Sequence, residues 1–244
     1  MRGGLAASSR AIAALDDDLR RRLYLFVRDQ ARPVGRDEAA EAVGISRKLA
    51  AFHLDKLVDR GLLRFSYARP EGRGGRGAGR PAKRYEPTET EFAVSLPERR
   101  YDLVGSLLTK SVREERDDER AEATALRVAG REGRALGERV RSESKLRPPG
   151  AERALSVAED VLAAQGYEPF REARGEVVLR NCPFHSLSQE SPDLVCGMNR
   201  AFIDGLVRGL GNDTLEVALE PAPGRCCVVL RMPGRARSTT SPTS

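Results

Sequence analysis

Helix stop and start signals stand close together between residues 36 and 61, and they leave this stretch few ways to fold. Gly44 can close a short helix over "RDEAAEAVGI", because glycine adopts the left-handed conformation that ends helices at no steric cost. Ser46 is a good N-cap for a second helix, and Gly61 can end that helix. The pattern therefore predicts two helices joined by a very short turn.

The flanking segments extend this pattern in both directions. A helix is predicted from Leu15 to Val27, where leucines recur at helical spacing. After Gly61, "LLRFSYA" alternates as a strand, and "AKRYEPT" can return as its partner. Helix, short helix, turn, helix and hairpin is the order of a winged helix-turn-helix. Leucines and a valine on the second helix are expected to pack its core: Leu49, Leu54, Leu57 and Val58.

The segment "EGRGGRGAGRPAKRYEP", which follows the first strand and runs into the second, concentrates glycine and arginine. Residues 69–84 hold six basic residues and one acidic residue, a local net charge of +5 in a chain whose net charge is +6. Such clustering is typical of a nucleic-acid contact. Three interpretations compete: an RGG-type RNA-binding tail, a minor-groove hook around Gly79-Arg80-Pro81, and the wing of a DNA-binding domain. The flanking strands favour the wing.

The stretch "AAEAVGISRKLAAFHLDKLVDRGLL" resembles the recognition core of ArsR-like winged-helix repressors, over roughly residues 16–90. The resemblance implies that the helix after Ser46 enters the major groove of double-stranded DNA. It assigns base and phosphate contacts to the exposed residues of that helix: Ser46, Arg47, Lys48, Ala51 and Phe52. The wing interpretation adds phosphate or minor-groove contacts from Arg73, Arg76, Arg80, Lys83 and Arg84.

All four cysteines lie in the last quarter of the chain, at positions 182, 196, 226 and 227. Cys182 follows a predicted strand, Cys196 lies in the first turns of a predicted helix, and Cys226-Cys227 begin the last predicted strand. Because element ends converge easily, three thiolates could share one ion or cluster. The wide spacing fits iron–sulfur, zinc or copper(I) alike, and ordinary buried cysteines are the competing interpretation. Adjacent residues of a strand face opposite ways, so only one of Cys226 and Cys227 is expected to be an easy ligand.

The segments "LRNCPFH", "DLVCGMN" and "GRCCVVL" are similar to the cysteine segments of the iron–sulfur repressors of the Suf cluster-assembly operon and their actinobacterial relatives. The resemblance implies a homodimeric repressor with a [2Fe–2S] or [4Fe–4S] cluster on Cys182, Cys196 and Cys226. The first cysteine interval is one residue longer here, and the doubled cysteine is a departure. His185 and Cys227 are the candidates for a fourth ligand, and zinc or a thiol redox switch is the alternative to a cluster.

The remaining sequence predicts an α+β, mostly helical protein. We expect disordered termini over 1–14 and 233–244, a winged helix-turn-helix domain over 15–90, a helical linker or dimerisation region over 97–147, and a cysteine-containing sensor domain over 150–232 with a meandering antiparallel sheet. The dimerisation region shows one apolar face at Leu103, Val104, Leu107 and Leu108, and a thinner one at Ala125, Ala129, Leu136 and Val140.

Several classes of function find no support in the sequence. It holds no GxSxG, P-loop, HExxH or strand-linked GxGxxG motif, so we expect no enzyme. No run of about eighteen apolar residues is present, and the N-terminus has no continuous apolar region of a signal peptide. The sequence therefore predicts a cytoplasmic protein with no membrane partner. An RNA-binding or scaffolding protein that uses the Gly/Arg segment is the remaining alternative.

Overall fold

The computed structural model describes residues 5–68, 81–144, 149–173 and 175–234. The chain divides into two compact units, an N-terminal unit over Met1–Val94 and a C-terminal unit over Ser95–Ser244. Both combine helices with one small antiparallel sheet, so the α+β class is confirmed. No helix within the described ranges is both long and apolar enough to cross a membrane.

The N-terminal unit places a three-stranded antiparallel sheet, of order β1-β3-β2, beside its helices. Phe65 of β2 pairs with Tyr85 of β3, and Tyr85 pairs in turn with Val34 of β1. The two-residue strand β1 was not foreseen in the sequence. The elements are α1 Leu5–Ala14, α2 Asp18–Asp29, β1 Val34–Gly35, α3 Arg36–Val43, α4 Arg47–Asp59, β2 Leu63–Ala68 and β3 Ala82–Pro87.

The predicted stop and start signals of α3 and α4 are confirmed. Gly44 ends α3 with a φ of 74°, and Gly61 follows α4 with a φ of 75°. The Ser46 hydroxyl accepts a hydrogen bond from the backbone N–H of Leu49 at 3.2 Å, which satisfies one of the free donors at the start of α4. These local devices fix the short turn between the two helices.

The core of the N-terminal unit differs from the sequence prediction at two places. Leu54 and Leu57 are buried as predicted, but Leu49 is 38% exposed, because Ala50, His53, Leu54 and Leu57 form the inward face of α4. Residues 5–14, expected to be disordered, form α1. Ala11 and Ala14 of α1 are buried in the core, and small alanines gave little apolar signal in the sequence although they favour helix strongly.

The C-terminal unit surrounds a four-stranded antiparallel sheet of order β4-β5-β7-β6. The predicted meander is wrong, because β7 rather than β6 pairs with β5. The chain leaves the sheet after β5 through two helices and returns at its far edge. The elements are α5 Tyr101–Arg113, α6 Ala121–Glu143, α7 Ala151–Ala164, β4 Pro169–Ala173, β5 Glu176–Leu179, α8 His185–Glu190, α9 Pro192–Gly209, β6 Glu216–Leu219 and β7 Val228–Arg231.

Helices α5 and α6 belong to the same compact unit as the sheet, so no boundary falls at residues 147–150. Of the faces assigned to dimerisation, Val104, Leu107, Ala125 and Ala129 are buried in this unit's own core. Leu136 and Val140 pack against the same core. Residues 145–148 and the predicted tail from 235 onward lie outside the described residues.

Helices α6 and α9 approach each other so closely that their backbones touch. A Cβ on Gly133 would collide with the carbonyl oxygen of Phe202, and one on Gly137 would collide with that of Leu206. From the other helix, a Cβ on Gly205 would collide with the carbonyl oxygen of Gly130. Glycine is therefore required on both sides of this contact.

We expect Gly133→Ala to destabilise the C-terminal unit by about 3 kcal/mol, because the added methyl group must push two helix backbones apart. Gly105→Ala is the matched control. Gly105 also lies inside a helix, but nothing is within 4 Å of its added Cβ, so this change is expected to stabilise by about 0.5–1 kcal/mol. Urea unfolding of the full chain measures both. Equal effects of the two changes would contradict the close contact.

Candidate functional site

All four cysteines line one cavity of about 520 Å³ in the C-terminal unit. Cys182 follows β5, Cys196 lies in the first turns of α9, and Cys226 and Cys227 lie just before β7. Cys182 and Cys196 are partly exposed, whereas Cys226 and Cys227 are buried, and all four are free thiols. The structure thus brings the predicted ligands Cys182, Cys196 and Cys226 to one place.

The expectation that only one of Cys226 and Cys227 faces the site is wrong. It assumed that both residues belong to a strand, but β7 begins only at Val228. In the irregular segment before the strand the alternation of side chains does not apply, so both thiols line the cavity.

The thiols hydrogen-bond to one another, and this controls their protonation. Donation to Cys226 raises the pKa of Cys182 far above its usual range, and burial adds to the effect. For Cys226, the hydrogen bond from Cys182 lowers the pKa, but donation to Cys227 and burial outweigh it and raise the value to about 12. Burial raises the pKa of Cys196, against a hydrogen bond from Cys227 that lowers it. The four sulfur atoms therefore lie close enough to shift one another's pKa.

Polar groups around the sulfur atoms orient them further. The Asn199 side-chain amide donates to Cys226 Sγ at 3.2 Å, and Asn199 Oδ1 accepts from the Tyr167 hydroxyl at 2.5 Å. The backbone N–H of Phe184 and the side chain of Ser188 lie near the Cys182 sulfur and partly offset the rise of its pKa. The Ser188 hydroxyl itself donates to the His185 carbonyl oxygen at 2.8 Å. Hydrogen bonds of this kind to thiolates tune metal centres. Asn199 and Tyr167 were not identified in the sequence, since nothing local marks an asparagine one turn after a cysteine.

The walls of the cavity carry positive charge. Arg99, Arg180 and Arg225 line it, and no Asp or Glu does so among the residues that the structure describes. Arg225 Nε is buried with no hydrogen-bond partner in that part of the chain. Arg225 Nη1 pairs with the Glu172 carboxylate at 3.4 Å, whereas Arg99 and Arg180 form no ion pair with the described residues. The two arginines without an acidic partner favour anionic occupants, such as thiolates or a thiolate-ligated cluster.

Hydrogen bonds from Arg99 and Arg100 hold the turn that carries Cys182. The Arg99 guanidinium donates to Asn181 Oδ1 at 2.5 Å and to the Cys182 carbonyl oxygen at 3.3 Å. The backbone N–H of Arg100 donates to the Pro183 carbonyl oxygen at 3.0 Å.

Both candidates for the fourth ligand also line the cavity: Cys227 lies buried beside the other thiols, and His185 begins α8 with an exposed side chain.

The donor set suits a soft metal, because four thiols and one imidazole share a cation-lined cavity. Within the described residues, however, no three His, Cys, Asp or Glu side chains are grouped so that they could hold a metal ion. Ligation by Cys182, Cys196 and Cys226 therefore stays a prediction.

The predicted DNA contacts of α4 lie on its surface. Ser46, Arg47, Lys48 and Phe52 are exposed, and Ala51 is half-buried. Phe52 is 54% exposed, an unusual position for a large aromatic side chain in the absence of a partner. Arg47 Nε already pairs with Asp37 Oδ1 of α3 at 2.5 Å.

The basic residues of β3 are engaged within the unit. Lys83 Nζ bonds Asp55 of α4 and lies 4.1 Å from the centre of the Phe65 ring. The Tyr85 hydroxyl donates to the same Asp55 carboxylate at 2.9 Å, and Arg84 lies 3.9 Å from Glu38. Burial and this hydrogen bond raise the pKa of Tyr85. Arg73, Arg76 and Arg80 lie outside the described residues.

Comparisons with protein-family models, with curated proteins and with solved structures found no match.

We expect Asn199→Leu to destabilise the C-terminal unit by about 1–3 kcal/mol, because it leaves the buried Tyr167 hydroxyl without an acceptor. Tyr167→Phe removes that hydroxyl and serves as the partner variant. If the pair carries the effect, adding Asn199→Leu to Tyr167→Phe costs clearly less than Asn199→Leu alone. A fully additive double variant, measured by urea unfolding, would count against the pairing.

Proposed function

We propose that the chain is a DNA-binding transcriptional regulator, a repressor, whose C-terminal unit holds an iron–sulfur cluster that controls DNA affinity. The observation that carries the proposal is the meeting of four cysteines from three separate segments in one cation-lined cavity. The order of elements in the N-terminal unit supports the DNA-binding half, and the cytoplasm is the compartment that suits both halves.

The N-terminal unit has the element order of a winged helix-turn-helix, with α3 and α4 joined by a short turn and β2–β3 as the wing. In such a domain the start of α4 enters the major groove. Ser46 and Lys48 would then reach phosphates or base edges, and exposed Leu49 and Phe52 would meet thymine methyl groups. Arg47 would first have to exchange its pairing with Asp37 for a contact to DNA.

In the C-terminal unit, Cys182, Cys196 and Cys226 would hold the cluster, with Cys227 or His185 as the fourth ligand. The bound cluster supplies sensitivity to oxidants and to the supply of iron. Cys227 has the better position for a fourth ligand, because it is buried in the same cavity as the other thiols, whereas His185 is exposed. Asn199 would keep its N–H directed at the Cys226 sulfur, and the three arginines would offset negative charge.

A regulator that reads an inverted repeat acts as a homodimer. In the region first assigned to dimerisation, Leu108 and Val112 of α5 are exposed, and Val112 is 74% exposed. Together with Tyr101, which is also exposed, these side chains could meet a second copy. Gain or loss of the cluster would regulate DNA binding only through different affinities of the two states.

A thiol redox switch is the second candidate, because the four thiols already contact one another through hydrogen bonds. Zinc on the same cysteines is the third possible state of the site. An RNA-binding role would rest on the Gly/Arg segment, most of which lies outside the described residues.

We expect the full chain, reconstituted anaerobically with iron and sulfide, to become coloured through thiolate-to-iron charge transfer. Cys182→Ser, Cys196→Ser and Cys226→Ser are expected to lose most of the bound iron and sulfide. Cys227→Ser and His185→Gln form a matched pair of variants. Loss of bound iron and sulfide in Cys227→Ser alone identifies Cys227 as the fourth ligand. Zinc without sulfide, or a thiol count that changes with oxidation and without metal, would replace the cluster by one of the alternatives.

We expect the full chain to select an inverted repeat from a library of random duplexes. Lys48→Gln and Phe52→Ala are each expected to reduce affinity for the selected duplex by about 1–3 kcal/mol, and to reduce affinity for random duplex less. Arg28→Gln is the control for charge, since Arg28 pairs with Asp29 at the end of α2. A chain that enriches no duplex, or that prefers single-stranded RNA, would contradict the DNA-binding half.

A further inference from the structure

We infer that a second basic site in the N-terminal unit binds a phosphate group. A cleft of about 240 Å³ opens between α1, α2 and α4, and its lining residues are Arg10, Ala13, Ala14, Arg20, Lys56 and Arg60. Four of these six side chains are cationic, and none of the acidic residues in the described ranges lines the cleft. Lys56, Arg60, Arg10 and Arg20 were not among the expected DNA contacts.

The four basic side chains of the cleft are positioned by α1, α2 and α4. Arg20 Nε donates to the carbonyl oxygen of Ala14 at 2.6 Å, which fixes the Arg20 guanidinium beside the end of α1. Lys56 and Arg60 stand four residues apart, so they lie on one face of α4 and repel each other. Arg10 closes the cleft from α1. Arg10 and Arg60 form no ion pair with the described part of the chain.

The negative C-terminal ends of the neighbouring helices do not balance the positive charge of the cleft. The C-terminal ends of α1 and α4 each contribute roughly half a negative charge. Asp59 adds a distant contact, 3.9 Å from Lys56 Nζ, and its side chain is 65% exposed. The Asp17 carboxylate also interacts with Arg20. Two carboxylates and two helix ends still leave a cleft with four cations positive. A bound anion would remove the repulsion between Lys56 and Arg60.

The position of the cleft indicates the kind of anion. Leu49, Phe52, Lys56 and Arg60 follow one another at spacings of three and four residues, and all are exposed. The cleft therefore continues the exposed face of α4 toward its C-terminal end. If the proposed DNA-binding function holds, the start of α4 lies in the major groove. The C-terminal end of α4 can then lie beside the DNA backbone that flanks the groove. A phosphodiester of that duplex and a free phosphate offer the same oxygen chemistry, so both sources must be tested.

The test compares the full chain with Arg10→Gln, Arg60→Gln and the control Arg28→Gln. Glutamine keeps a similar helix propensity, and each change removes one positive charge. In the first arm, pyrophosphate is titrated into the protein, and the backbone amide signals of Ala13, Ala14 and Arg60 are followed by nuclear magnetic resonance. In the second arm, affinity for the selected duplex is measured at several salt concentrations.

Saturable shifts in the wild type that Arg10→Gln and Arg60→Gln abolish, and Arg28→Gln keeps, support the phosphate cleft. A salt slope smaller by about 0.9 for each cleft charge removed, relative to Arg28→Gln, identifies the duplex as the source. If Arg10→Gln and Arg60→Gln abolish pyrophosphate binding but leave the salt slope of duplex binding unchanged, the ligand of the cleft is a free phosphate. Shifts and slopes that match those of the control in both arms overturn the inference. Failure of the wild type to bind any duplex removes the proposed function, while the pyrophosphate arm still decides on the cleft.

Discussion

The backbone contact between α6 and α9 is the constraint on which the C-terminal unit depends. Four glycines, two on each helix, leave no room for a Cβ, so the two helices can pack only in one register. Helix α9 is thereby held along its second half, while its first half presents Cys196 and Asn199 to the cysteine cavity. The position of two groups of the candidate site is thus set by contacts far along the same helix, with no sulfur chemistry involved.

The cysteine cavity is assembled from elements that are held in different ways. Cys196 and Asn199 belong to a helix fixed by glycines, and Cys182 belongs to a turn bonded through Arg99 and Asn181. Cys226 and Cys227 belong to an irregular segment before β7. The backbone N–H of Cys226 donates to the carbonyl oxygen of Leu179 at 2.8 Å, and the carbonyl oxygen of Cys227 accepts from the N–H of Glu220 at 2.6 Å, so this segment too is held by its neighbours. All three parts of the cavity are therefore positioned by contacts that involve no sulfur atom.

Local chemistry made part of this structure predictable. Gly44, Ser46 and Gly61 act through their own backbone and side chains, so the bounds of α3 and α4 followed from the sequence. The meeting of the cysteines followed from their places at element ends. Other features depend on partners distant in sequence. The order β4-β5-β7-β6, the burial of α1 and the roles of Gly133 and Gly205 exist only through tertiary contacts, and no local pattern encodes them.

The basic residues of the N-terminal unit that cluster in the sequence differ from those that cluster in the fold. Lys83, Arg84 and Arg47 stood out as DNA contacts in the sequence, but each lies beside an acid on α3 or α4, which reduces its field. Arg10, Arg20, Lys56 and Arg60 are scattered over fifty residues and formed no visible cluster, yet they line one cleft. Lys56 also lies 3.9 Å from Asp59, and Arg20 interacts with Asp17, but Arg10 and Arg60 form no ion pair with the described residues. Because an ion pair cancels much of a charge's effect at a distance, these two arginines contribute most to the positive potential of the cleft. The end of α4 that carries Lys56 and Arg60 is therefore as strong a candidate for contact with a polyanion as the end that carries Arg47 and Lys48.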